Sequence, residues 1–279
     1  MVLHSKFTKI VAVILSSFLF VACSTNKYAA TEKIYKGKAK TFAEIIKTVP
    51  PPEQQIPPLD PSVPSWVGSV NFGIRKPNFV IIHHTAQNST QQTINTFLVK
   101  GKSEVSSHYI VGKDGAVVQM VNDYLRANHA GIGKWGNNSD LNSSSIGVEL
   151  DNNGIDQPFT DAQIKSLVVL LDALKKRYNI PVANFIGHAD IAPGRKNDPR
   201  NFPWKVLAKQ GFGFWYDDVL NLPPDDFNAE LALRIIGYNT SDLPAAIEAF
   251  KLHFVQTDIS RELTPADKLI LFNIYKKYM

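Results

Sequence analysis

Asn78-Phe79-Val80-Ile81-Ile82-His83 is the stretch on which the fold turns. Its apolar run leaves no polar face, so a strand here is buried on both sides, as in a sheet covered by helices. Working outward, Ser89 and Gln92 form a capping-box pattern that predicts a helix through Val99, with Ile94, Phe97 and Leu98 inward and Gly101 as its stop. Ser107–Val111 and Ala116–Val121 flank Lys113-Asp114-Gly115, which predicts a hairpin. Ser145–Leu150 reads as another strand. Thr160 and Gln163 cap a helix in which Ile164, Leu167, Val168, Leu171, Leu174 and Tyr178 keep the helical period. Asn184–Gly187 is one more strand and leads into His188. Strands and helices interleave, so the expected fold is α/β, a mixed central sheet flanked by helices.

After about residue 218 the pattern becomes all helix. Asn228–Ile236 comes first, then Pro244–Phe254 with Ile247, Phe250, Lys251 and Phe254 at helical spacing. Thr264-Pro265-Ala266-Asp267 opens a third helix with proline at its first position. Residues 219–279 are therefore expected to form a small three-helix bundle, marginally stable alone, behind a larger unit at 66–218.

The whole chain has 279 residues, 44% hydrophobic and 20% charged, a globular composition that excludes collagen-like, coiled-coil and wholly disordered classes. A single cysteine excludes an intramolecular disulfide framework and any multi-cysteine metal site. The 30 basic and 25 acidic residues give a net charge of +5. No dense Lys/Arg stripe accompanies that excess, so nucleic acid is not an expected partner.

Residues 1–22 carry Lys6 and Lys9, no acid, and then the apolar run Ile10 to Ala22, the pattern of a secretory signal. Phe20-Val21-Ala22-Cys23-Ser24 resembles a bacterial lipobox, with Phe20 where leucine is usual; the resemblance makes Cys23 the lipidated first residue of the mature chain. The alternative is a plain signal cut elsewhere. Losing those two lysines and no acid lowers the net charge from +5 to +3. Residues 23–65 read as a tether, since 7 of the 17 prolines fall between Pro50 and Pro64 and favour extended polyproline conformation. The stretch before them has room for a short helix at Thr41–Lys47. Ser24 is compatible with outer-membrane sorting.

Five histidines, His83, His84, His108, His129 and His188, remain once His4 in the signal and His253 on a C-terminal helix are set aside. Most stand at predicted strand ends, where side chains share a rim. In Gly187-His188-Ala189-Asp190-Ile191-Ala192-Pro193-Gly194-Arg195-Lys196-Asn197-Asp198-Pro199, the Pro-Gly turn can fold back to deliver Lys196 and Asp198 beside His188. With His83 or His84 this makes two imidazoles and a carboxylate, and three protein ligands are the catalytic zinc pattern. His83 and His84 are adjacent on a strand and face opposite ways, so one alone can ligate. Taken singly, Glu149 is an ordinary edge-strand carboxylate, Lys196 a solvated loop lysine, and Asp198 a turn starter before proline.

Together, Val80–Ala86, Ser106-Ser107-His108-Tyr109, His129-Ala130-Gly131, Ser145–Glu149 and the His188 segment resemble, in order, the zinc-dependent N-acetylmuramoyl-L-alanine amidases of the T7-lysozyme and peptidoglycan-recognition type. The resemblance covers Pro77–Trp204 and is nearest to the AmiD-type lipoprotein branch. It implies one zinc ion held by His83, His188 and Asp198, with Glu149 as catalytic acid–base and Lys196 beside the reacting carbonyl. It also implies peptidoglycan or muropeptides as substrate. Arg200 stands where the relatives tend to have glycine. His84 reads as packing on the reverse face, His108 as structural, and His129 as lining the substrate cleft. Residues 236–254 resemble a peptidoglycan-binding helical module. A monomer is expected, lipid-anchored in the envelope and facing the periplasm. A non-catalytic peptidoglycan receptor and a recycling amidase for anhydro-muropeptides are the rival readings.

Overall fold

The computed structural model describes residues 26–47, 74–99 and 104–279, so the readings on the signal, Cys23, the proline run and Gly101 lie outside the described residues. The first segment forms one helix, α1 (Ala29–Lys47), longer than the one at Thr41–Lys47 that the sequence suggested. Asn26 opens it by accepting from the Tyr28 N–H (2.9 Å), and Ala, Lys, Glu and Ile carry it with Glu32 in the first turn and Lys47 in the last. None of its residues is buried.

The main unit follows as β1 (Phe79–His84), α2 (Thr90–Leu98), β2 (Tyr109–Val111), β3 (Val117–Gln119), α3 (Leu141–Ser144), β4 (Ser145–Leu150), α4 (Asp161–Tyr178), a 3₁₀ turn (Val182–Asn184), β5 (Phe185–Gly187), α5 (His188–Ile191), α6 (Trp204–Lys209), α7 (Ala229–Ile236), α8 (Leu243–Phe254) and α9 (Pro265–Tyr278). The sheet order is β3-β2-β4-β1-β5. β1 runs parallel to β4 and β5, β2 runs parallel to β4, and β2–β3 is the antiparallel hairpin. The sheet is thus mixed, with its apolar strand β1 between two others and its edges only three residues long.

Capping follows the sequence closely, with one change of partner at each site. Ser89 and Thr160 accept from the N–H groups of Gln92 and Gln163, as a cap requires. Gln92, however, turns its side chain to the Asn88 N–H (3.1 Å). Gln163 is fully buried and donates to the carbonyls of Val111 (2.9 Å) and Asp151 (3.2 Å), tying α4 to the ends of β2 and β4.

Alternation along β1 divides the core. Val80 and Ile82 join Ile146, Val148 and Leu150 against Leu167, Leu171 and Leu174 of α4. On the opposite face, Ile81 and Ile186 meet Leu233, Ile236, Phe250 and Leu271 of α7, α8 and α9. The three C-terminal helices therefore pack on one another and on the sheet, sharing one core rather than closing a separate one. The reason lies in α8, where nine of twelve residues are buried. A helix apolar nearly all round needs partners on every side, which two short neighbours cannot supply. Gly237 caps α7 at φ +134°, and a Cβ there would overlap the Trp135 indole.

Buried polar groups secure the same joint. Asp190 of α5 accepts from the Gly187 N–H (2.7 Å), the Tyr238 hydroxyl (2.7 Å) and His253 Nδ1 (2.8 Å), and the His253 ring stacks on Trp204 at 3.9 Å. Tyr238→Phe leaves one buried carboxylate oxygen without its donor. It should lower the unfolding free energy by about 1–3 kcal/mol, read as a shift in denaturant midpoint.

Candidate functional site

Because β1, β4 and β5 run parallel, their carboxyl ends gather at one edge of the sheet. His83, the fifth residue of β1, pairs in register with Glu149 of β4. Register partners on parallel strands point to the same face about 5 Å apart. His188 opens α5 directly after β5. The chain then turns at Pro193-Gly194, with the Arg195 and Lys196 N–H groups donating to the Ala192 carbonyl (3.1 and 3.0 Å). The Ala189 N–H donates to the Asp198 carbonyl (2.8 Å), which sets Asp198 beside His188. The turn thus closes as the sequence predicted.

His83 Nδ1 lies 2.9 Å from His188 Nδ1 and 3.1 Å from Asp198 Oδ2, and His188 Nδ1 lies 3.0 Å from the same oxygen. All three residues are buried. His84 stands outside the triangle: its Nδ1 accepts from the Arg200 N–H (3.2 Å), and the residue also borders the cavity described below.

The neighbours of the two imidazoles fix where their protons lie. His188 Nε2 meets the Ala130 carbonyl at 3.0 Å, an acceptor only, so Nε2 carries a hydrogen, and in the neutral ring Nδ1 is the lone-pair nitrogen. For His83 the argument runs through a chain. The Ser145 hydroxyl gives its one proton to the Leu141 carbonyl, so its oxygen accepts from His129 Nε2 (3.2 Å). His129 Nδ1 is then bare and accepts from His83 Nε2 (3.1 Å), which leaves His83 Nδ1 bare as well. Burial, with the neighbouring imidazoles, lowers His83 to about 4 and holds His129 well below its ordinary value, so both rings are neutral near pH 7. With both rings neutral, two Nδ1 lone pairs and a carboxylate oxygen converge at about 3 Å. That donor set fits a divalent cation, and its N, N, O composition suits zinc.

Glu149, also buried, faces the same edge, and among the described residues no hydrogen bond reaches its carboxylate. Burial pushes it up to about 8, with Asp198 adding to the rise and Lys196 opposing it. Lys196 is exposed on the rim. A cavity of about 550 Å³ opens here, bordered by His83, Glu149, His188, Lys196 and Asp198 and, from α8, by Glu248. His129 also borders it, yet both ring nitrogens are engaged with His83 and Ser145. His108 is held structurally, as expected. Its Nδ1 accepts from the Gly147 N–H (3.0 Å), its Nε2 faces the Leu125 carbonyl (3.0 Å), and burial lowers it to about 4.

Sequence reasoning missed the residues that seat His129. Asn142 Oδ1 accepts from the N–H groups of both His129 and Ala130, each at 2.9 Å. Gly147 leaves room for the His129 ring, which a Cβ there would overlap. A glycine inside strand β4 is the signal that could have revealed this close approach; Asn142 carried none.

A family model described as N-acetylmuramoyl-L-alanine amidase matches residues 74–201. The chain is 33% identical over 232 residues to the N-acetylmuramoyl-L-alanine amidase AmiD of Escherichia coli K12, spanning 71% of this chain and 82% of that protein. A solved complex of E. coli AmiD with the substrate anhydro-N-acetylmuramic acid-L-Ala-D-γ-Glu-L-Lys superposes with a TM-score of 0.64 at 30% identity, covering 76% of this chain and 93% of that one. AmpDh3 of Pseudomonas aeruginosa, solved with an anhydromuramic pentapeptide, superposes with a TM-score of 0.65 at 27% identity, covering 80% and 99%.

The raised carboxyl of Glu149 sets the sign of a pH effect. Its folded value, about 8, lies above the ordinary 4.5, so the folded state favours the protonated form. The contribution to stability is full below 4.5 and is lost as the pH climbs through 8. In chelator-treated protein, Glu149→Gln should match the parent in melting temperature near pH 4 and exceed it increasingly up to about pH 8, with no further gain above.

Proposed function

The chain belongs to the N-acetylmuramoyl-L-alanine amidases, and from that membership we propose which of its residues perform the hydrolysis and where it takes place. It is a hydrolase that cuts the amide between N-acetylmuramic acid and the L-alanine of the stem peptide. The observation that carries the assignment of roles is the triangle of His83 Nδ1, His188 Nδ1 and Asp198 Oδ2, with edges of 2.9–3.1 Å, beside the register-paired Glu149.

His83, His188 and Asp198 would hold one zinc ion, which would supply Lewis-acid polarisation of the scissile carbonyl and activation of water near neutral pH. Glu149 would accept a proton from the attacking water and return it to the L-alanine nitrogen as the C–N bond breaks. Its raised value suits both halves of the exchange, because a group that titrates near the working pH gives and takes with little penalty. Lys196 places its ammonium where the carbonyl oxygen gains negative charge, and a cation aimed at a developing oxyanion stabilises it more there than in the ground state. A purely recognising protein would need neither Glu149 nor the donor set. The anhydromuramyl ligands in both solved relatives support a site that accepts anhydro sugars.

The envelope assignment rests on the sequence. We read residues 1–22 as a signal, Cys23 as the lipidated residue of a monomer, and 23–65 as the arm that holds the enzyme off the outer membrane on its periplasmic side. Residues 219–279 would bind the polymer and raise its local concentration.

Mass analysis of products from intact peptidoglycan tests the central reading. Stem peptides with a free L-alanine amine should appear, and a chelator should abolish them; unchanged glycan–peptide linkage in untreated digests would refute it. His188→Ala should lose zinc and activity together. Glu149→Gln should retain zinc while turnover falls by about 10² or more, and full turnover in that variant would remove Glu149 from the base role. Lys196→Met should lower kcat by about 10²–10³ with zinc content unchanged.

A further inference from the structure

We propose that the dipeptide His129-Ala130, pinned by Asn142, is a single clamp that presets both imidazole ligands to present Nδ1 to the metal; this rests on the zinc reading above. His129 is on this view a positioning residue and not a contact for substrate.

An imidazole has two neutral tautomers, and only the one protonated at Nε2 offers a lone pair at Nδ1. A ligand histidine left to itself would also rotate about its side-chain bonds. Here each ligand has its Nε2 hydrogen claimed. His83 donates to the His129 ring (3.1 Å) and His188 donates to the Ala130 carbonyl (3.0 Å). The two acceptors sit on consecutive residues, so one piece of backbone sets both rings.

That backbone is itself fixed. Asn142 Oδ1 accepts from both N–H groups of the dipeptide at 2.9 Å. The far side of the His129 ring is anchored through Ser145 to the Leu141 carbonyl, so α3 and the start of β4 hold the clamp at two points. Gly147 provides the opening through which the ring reaches His83. Arg195 Nη2 donates to the Ala130 carbonyl as well (3.1 Å), using its second lone pair. The loop that carries Lys196 and Asp198 is thereby referred to the same carbonyl as His188. Three groups, His83, His188 and Arg195, thus take their positions from this one dipeptide.

Outer partners of this kind change metal affinity by about 10–100-fold when removed. The test uses the full chain and two readouts that do not depend on turnover. Zinc affinity is measured by competition with a chromophoric chelator, and the tautomers of His83 and His188 are read from long-range ¹H–¹⁵N spectra of the chelated protein. His129→Ala should weaken zinc by about 10–100-fold and turn His83 into a tautomer mixture, leaving His188 unchanged. His129→Asn, which keeps an acceptor near the position of Nδ1, should retain most of the affinity. Asn142→Leu should disturb both histidines, and Asn142→Asp, which keeps the acceptor oxygen, should restore them. Ser145→Ala deletes one oxygen and should give a smaller loss in the same direction, which secures the result if His129→Ala does not fold. Parental zinc affinity and unchanged tautomers in His129→Ala or Ser145→Ala would overturn the clamp while leaving the metal site standing. Failure of the parent chain to bind zinc would overturn the reading beneath it.

Discussion

Three lone pairs pointed at one another, from His83, His188 and Asp198, are the constraint around which the rest of this molecule is arranged. Left alone, such a group relaxes: an imidazole rotates, a carboxylate swings out to water, or a proton moves in. Each escape is blocked by a separate device. Sheet register fixes the stem of His83, and the start of a helix directly after β5 fixes that of His188. The Pro193-Gly194 reversal returns Asp198 to its neighbour's side, and the Ala130 carbonyl and the His129 ring occupy the hydrogens that would otherwise migrate. The site is thus organised before any ligand arrives, which is the sense in which a metal centre is preorganised.

The same arrangement separates the two working groups by environment. Glu149 is buried and unpaired, so its affinity for a proton is raised to where exchange is easy. Lys196 stands on the exposed rim and borders the cleft. On the proposed roles, one carboxyl inside and one amine at the edge would give proton transfer and charge stabilisation different addresses along a single cavity.

Much of this was legible in the sequence. The apolar run of β1, the Lys113-Asp114-Gly115 hairpin and the periodic face of α4 are local patterns with local causes, and each became the element expected. The metal-ligand candidates were readable because a Pro-Gly turn after a strand-end histidine brings Asp198 back at short range. What escaped depends on partners distant in the chain. Gln163 looked like half of a cap and became a cross-brace, because Val111 and Asp151 happen to end beside it. His129 borders the cleft, but the engagement of both its nitrogens with His83 and Ser145 could not be read from the sequence. Asn142, an unremarkable polar residue in a four-residue helix, joins two N–H groups that sequence cannot show to be adjacent. The C-terminal helices looked separable because their caps are complete, while the breadth of the buried surface on α8 shows only once the sheet is placed against it.

That shared core bears on the order in which the protein becomes an enzyme. Tyr238 and His253 grip Asp190, two residues from His188, and Glu248 forms part of the cleft wall. A nascent chain emerging amino end first would display every metal-ligand candidate long before α7, α8 and α9 arrived to cover Ile81 and Ile186. Its ligands would be present but unbraced, over a bare hydrophobic sheet. On the proposed roles, competence would therefore be conferred last, when the C-terminal helices complete the core they share with the sheet.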